Sequence, residues 1–204
     1  MLFFCIGIVY AGDIRISVVD KSSLPVTDAY VEMVAESGEG RAVATTGSID
    51  QVDKEVVPLF SAISVGSTVH FPNSDNIKHQ IYSFSKTKSF ELPLFAKNDT
   101  QKVQFTDPGV VHMGCNIHDW MLSYLYVYES QWFAQTDAAG VVSFVALPEG
   151  NYTLRVWSPR LKNNREAVES KVHITKEENA PISQMIKVRS DIRRLPRREG
   201  GGYE

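Results

Sequence analysis

The stretch GVVHMGCNIHDWMLSYLYVY, residues 109–128, holds the two patterns from which the rest of the chain is read. Its last seven residues, Leu122 to Tyr128, are aromatic and β-branched in the manner of a strand. Before them, Cys115, His118 and Met121 recur at a spacing of three. One tight turn at the end of a strand therefore points all three the same way. Each of these side chains is a metal donor, soft at sulfur and intermediate at imidazole. Period two sends His112 to the face opposite the Cys115 thiol and puts Met113 on the thiol's face, as core.

Working outward, alternation dominates. Ile14–Val18, Tyr30–Val34, Ser67–Phe71, His79–Phe84, Gln101–Phe105, Val141–Val145 and Tyr152–Trp157 all read as strands. Turn clusters separate them, among them Pro72–Asn76, Asp107-Pro108-Gly109, Asp137–Gly140 and Pro148–Asn151. Short strands with this punctuation predict an all-β sandwich or barrel. The chain has 204 residues, enough for one large domain or two small ones. Its 21 basic and 24 acidic residues leave a net charge of −3, which gives no support for a nucleic-acid partner. No run approaches the roughly 18 apolar residues of a membrane span. Two cysteines cannot form a disulfide framework.

The ends differ from the body. Leu2 to Tyr10 is apolar, and Val9-Tyr10-Ala11 reads as the end of a secretory leader cleaved after Ala11. No Lys or Arg precedes the run, and a buried N-terminal strand is the alternative. Cleavage would remove Cys5 and leave Cys115 as the lone thiol of a periplasmic or secreted chain, where it needs a reason to exist. At the other end, Arg193, Arg194, Arg197, Arg198 and three glycines predict a mobile tail over 191–204.

That reason is a metal. His79 follows the Pro/Asn/Asp loop and opens a strand, supplying a second imidazole. Two imidazoles and a thiolate in a plane, with a weak thioether on the axis, make a type 1 (blue) copper electron-transfer site. Other readings of the same residues stay open at this point. Cys-x-x-His is half of a zinc site, though a structural zinc finger needs a second pair. A Cys115 nucleophile with His118 as base lacks a recognisable orienting group. A dinuclear copper site needs a second loop cysteine where Asp119 stands. Met121 is an axial ligand by its spacing and a core gap-filler by its chemistry. His70, His112 and His173 read as surface groups. Trp120 is placed to shield the metal or to touch a partner.

The order His79, then Cys115-x-x-His118-x-x-Met121, on an all-β chain is similar to the cupredoxins, with a short ligand loop like that of amicyanin. The segment GSTVHFPNSD (66–75) resembles the plastocyanin pattern before its first histidine ligand. Phe71 to Trp157 resembles secreted bacterial plastocyanin-like proteins labelled methylamine-utilisation proteins. The residues that carry it are FPNSDNIKHQIYSFS (71–85), FELPLF (90–95), GVVHMGCNIHDWM (109–121) and LPEGNYTLRVWSPRL (147–161). The resemblance implies a Greek-key sandwich with one copper ion at a pole, held by His79, Cys115, His118 and Met121. It also implies that Asn73 ties the two ligand-bearing loops together.

Flanking this, Phe133–Pro159 resembles the second half of a carboxypeptidase-regulatory, transthyretin-like sandwich, and Ile14–Val34 resembles the first half. The expected organisation is therefore a leader remnant (1–11), a first sandwich part (12–46), an inserted cupredoxin domain (47–130), a second sandwich part (131–190) and the tail (191–204). The implied role is a non-enzymatic periplasmic electron carrier that meets a redox partner protein. The alternatives are copper sensing, storage or delivery, and an envelope assembly module with a structural metal.

Overall fold

The computed structural model describes residues 11–176 and 179–189, so the expected tail, and the expected leader up to Tyr10, lie outside the described residues, while Ala11 opens the first strand. Within them the chain is all-β. Its strands are β1 (Ala11–Val19), β2 (Tyr30–Ala35), β3 (Thr46–Ser48), β4 (Asp50–Val52), β5 (Glu55–Val57) and β6 (Phe60–Ser64). There follow β7 (Thr68–Pro72), β8 (Ile81–Phe84), β9 (Ser89–Glu91), β10 (Thr100–Gln104), β11 (Gly109–Cys115) and β12 (Leu122–Tyr128). The last are β13 (Phe133–Gln135), β14 (Val141–Pro148), β15 (Gly150–Trp157), β16 (Val168–Ile174) and β17 (Ile182–Met185). No helix among these residues is long and apolar enough to cross a membrane.

Strands from the two ends of the chain share two sheets, in the orders β14-β1-β17 and β13-β2-β15-β16. The middle of the chain builds a five-stranded sheet, β6-β12-β11-β8-β9, a three-stranded sheet, β10-β7-β3, and the hairpin β4-β5. Alternation decides which way each strand faces. Val111, Met113 and Cys115 of β11, with Leu125 and Val127 of β12, join Ile49, Val69, Phe71, Ile81 and Phe105 in one core. Val110 and Tyr126, with half-buried Phe60, Tyr124 and Tyr128, enter the other core, which also holds Ile16, Met33, Leu154 and Trp157. The five-stranded sheet therefore has two apolar faces, and the tyrosines of β12 are packed between layers instead of facing water.

Two readings are corrected here. The strand expected from His79 begins at Ile81. His79 instead sits in an isolated bridge, exchanging backbone hydrogen bonds with Phe95 at 3.1 and 3.0 Å. His112 is not a surface group. Its ring packs edge-on against Tyr124, and one ring nitrogen lies 3.0 Å from the Asn164 carbonyl, because that face of β11 meets the loop after β15. The three-residue strands β3, β4, β5, β9 and β13 are too brief for a periodicity to register. His70 and His173 do face solvent, the latter bonded to the Asn151 side chain at 2.8 Å.

Candidate metal centre

Cys115 ends β11 on the core side, and the chain then folds straight back on itself. The Met121 N–H donates to the His118 carbonyl at 3.0 Å, and the Cys115 N–H donates to the Met121 carbonyl at 3.2 Å. These bonds close a seven-residue loop that brings the His118 ring to the thiol. From the other side, the bridge to Phe95 fixes the backbone of His79. The Cys115 sulfur lies 3.7 Å from His79 Nδ1 and 4.0 Å from His118 Nδ1. The donor atoms of all three residues lie within 4.8 Å of one another. A trigonal site with donor–metal bonds of about 2.0–2.3 Å separates its donors by about 3.5–4.0 Å, so the set is spaced for one ion.

Burial separates the roles. His79 is fully buried and Cys115 nearly so, whereas His118 is half-buried next to exposed Ile117 and Trp120. Burial, and then the proximity of His79 and Lys54, hold the His118 imidazole below the usual histidine range, outweighing the opposite pull of Asp75. Its ring nitrogen thus keeps a free lone pair at neutral pH. Met121 is buried at 1% exposure, in the same core as Cys115. The Trp120 ring lies 5.1 Å from that of His118 while remaining 59% exposed, so it screens one side of the imidazole and faces outward with the other.

Asn73 is buried, but its bonds differ from those expected. Its amide donates to the carbonyls of Ile77 (2.9 Å) and Phe95 (3.1 Å), and its Oδ1 accepts the Asp75 N–H at 3.0 Å. It thus holds the His79 loop to the Phe95 segment instead of tying it to the Cys115 loop.

Two participants escape a reading of the sequence alone. Asp75 Oδ2 lies 3.0 Å from His79 Nε2 and also accepts the Lys54 N–H at 2.7 Å. Burial raises the Asp75 carboxyl, but the Lys54 and Asn76 N–H groups and His79 together carry it below the usual carboxylate value. Lys54 joins the two sides of the site, because its carbonyl accepts the Trp120 indole N–H at 3.0 Å. The Asp75–His79 spacing of four was the only sequence signal for the first. Nothing in the sequence pointed to the second.

A soft thiolate with two imidazoles suits copper in both of its common oxidation states. A structural zinc site would call for a fourth strong N, S or O donor, and among the described residues only His79, Cys115 and His118 gather such donor atoms within 4.8 Å of one another. No protein-family model and no curated protein matches the sequence. Solved structures similar to part of the chain include a purple cupredoxin from Nitrosopumilus maritimus. It is 26% identical, with a TM-score of 0.37, over 40% of this chain and 99% of that one. An amicyanin variant in the Cu(I) form is 17% identical, with a TM-score of 0.39, over 48% of this chain and 98% of that one. A copper-containing nitrite reductase from Thermus scotoductus is 25% identical, with a TM-score of 0.40, over 42% of this chain. The match spans only 23% of that enzyme's chain.

Proposed function

We propose that this chain is a type 1 copper protein that carries single electrons between partner proteins, and that His79, Cys115, His118 and Met121 would hold the copper. The observation that carries the reading is the convergence of one buried thiol and two imidazole nitrogens at 3.7 and 4.0 Å. Copper bound there supplies a one-electron Cu(II)/Cu(I) couple.

The chain's own residues supply the rest. The Cys115–Met121 loop and the His79–Phe95 bridge fix the donors through backbone hydrogen bonds, so the donor positions need not change with charge. Burial of His79 and Cys115 excludes water from the inner side. His118, half-buried beside exposed Ile117 and Trp120, is the edge through which a redox partner would exchange electrons. We read the protein as a carrier and not an enzyme, acting in a periplasmic or secreted setting. The divided sandwich, 12–46 with 131–190, is read as the scaffold around an electron-carrying domain at 47–130. Support for that division is that β1 and β2 pair with β13 to β17, while β3 to β12 pair among themselves.

The test is to add Cu(II) and record the visible spectrum. An intense thiolate-to-copper band is expected, with one equivalent of copper bound, and Cys115→Ser should abolish it. Absence of the band in the wild-type protein would sink the assignment. A reversible potential with slow metal loss favours the carrier over storage or delivery.

A further inference from the structure

The buried ligand histidine is not alone in the core. Its Nε2 faces a carboxylate that is itself only 7% exposed, Asp75 Oδ2, at 3.0 Å. The carboxylate is held from several sides before any metal arrives. Oδ2 accepts the Lys54 N–H at 2.7 Å, Oδ1 accepts the Asn76 N–H at 2.8 Å, and the Asp75 N–H is fixed on Asn73 Oδ1 at 3.0 Å. Asn73 is in turn anchored on the carbonyls of Ile77 and Phe95, the same Phe95 that bridges His79. The arrangement is a rigid ring of contacts around one imidazole.

We propose that Asp75 is a positioning residue that locks His79 in its Nε2–H form and, through its buried negative charge, biases the bound copper toward Cu(II). The inference rests on the copper reading above. The physical steps are short. A carboxylate without a proton can only accept, so the facing Nε2 must be the donor. That leaves the Nδ1 lone pair directed at the Cys115 side, where Nδ1 lies 3.7 Å from the sulfur. A carboxylate behind a ligating imidazole makes the ligand more basic, and a negative charge in a water-poor site favours the more positive metal state. A backbone carbonyl in the same place would fix the tautomer without adding the full charge. Orientation and charge are thus separable, and substitution can separate them.

The experiment compares wild type, Asp75→Asn and Asp75→Glu by two readouts. Nitrogen NMR of the metal-free wild-type protein should find the His79 proton on Nε2, and a proton on Nδ1 would overturn the positioning role. Voltammetry of the copper-loaded proteins should show Asp75→Asn with a higher potential. The expected shift corresponds to about a tenfold fall in preference for Cu(II) over Cu(I), or 59 mV for one electron. Asp75→Glu keeps the charge and should lie nearer the wild type, which covers the case in which the asparagine variant does not fold. An Asp75→Asn potential at or below that of wild type overturns the tuning role. A wild-type protein that keeps the Nε2–H tautomer yet shows no thiolate-to-copper band sinks the carrier reading while still supporting Asp75 as the group that orients His79.

Discussion

Met121 illustrates how one residue can satisfy two demands. Its backbone closes the ligand loop through bonds to His118 and Cys115, and its side chain fills the core beside Cys115. Neither contact requires a metal. Met121→Leu conserves volume and should change the urea-unfolding free energy of the metal-free protein by about 1 kcal/mol or less. If the thioether is the axial donor, the same substitution shifts the reduction potential of the copper-loaded protein, which voltammetry reads. An unchanged potential would reduce Met121 to packing. Cys115 admits no such substitution, because serine lacks the soft thiolate that the visible band requires.

At the scale of elements, the β4–β5 hairpin decides how the site is closed. Its two turn residues, Asp53 and Lys54, have φ of 50° and 60°. This is the left-handed conformation that two-residue hairpins need and that Asn-Gly adopts most readily. The turn matters because the Lys54 peptide reaches Asp75 with its N–H and Trp120 with its carbonyl. A Lys side chain in this conformation costs about 1–2 kcal/mol, part of which glycine returns in the unfolded chain. The Asp53→Asn/Lys54→Gly pair should therefore stabilise the metal-free protein by about 0.5–1 kcal/mol in urea titration, with both backbone bonds retained. A loss of stability would mean that the two side chains contribute more than the turn conformation costs.

At the scale of the whole molecule, the contact between the five-stranded sheet and the β13-β2-β15-β16 sheet is aromatic with one buried acid at its centre. Tyr30, Tyr126 and Trp157 stack with centroids 5.8–6.1 Å apart. Among them Glu32, fully buried, accepts the Tyr126 hydroxyl at 3.0 Å and the Glu129 and Ser130 N–H groups at 2.6 and 2.7 Å. Burial raises the Glu32 carboxyl above its ordinary 4.5, outweighing those hydrogen bonds and Arg155, whose Nη1 lies 3.9 Å away. A folded-state value above the unfolded one means that the native protein holds this proton more tightly. The associated stability is fully present below about pH 4.5 and is lost as pH rises through the folded value. Relative to Glu32→Gln, the wild type should therefore lose stability as pH rises above about 4.5, as read from urea midpoints in a pH series. A constant difference would show that burial does not raise the Glu32 carboxyl above its unfolded value.

Much of this was legible in residues 109–128 because strand alternation and donor spacing are local. Period two assigned Met113 and Cys115 to one face and His112 to the other, and the structure places them so. Residue types also singled out Cys115, His118 and His79, since few side chains bind a soft metal, and the fold gathers their donor atoms within 4.8 Å of one another. Other features depend on contacts between segments far apart in the chain. Lys54 meets Asp75 and Trp120, 21 and 66 residues away, through backbone atoms that every residue possesses, so no residue type announces it. Asn73 serves the Phe95 segment for the same reason: an amide bonds whichever carbonyl the fold delivers. The tyrosines of β12 read as a strand from sequence alone, but only the second layer stacked on them decides that they are buried. The sequence by itself determined strand, face and donor chemistry, which depend on side-chain type and on the two-residue repeat of the backbone. Tertiary structure decided which carboxylate stands behind His79 and which peptide clamps the site, because those are distances between chain segments that only packing brings together.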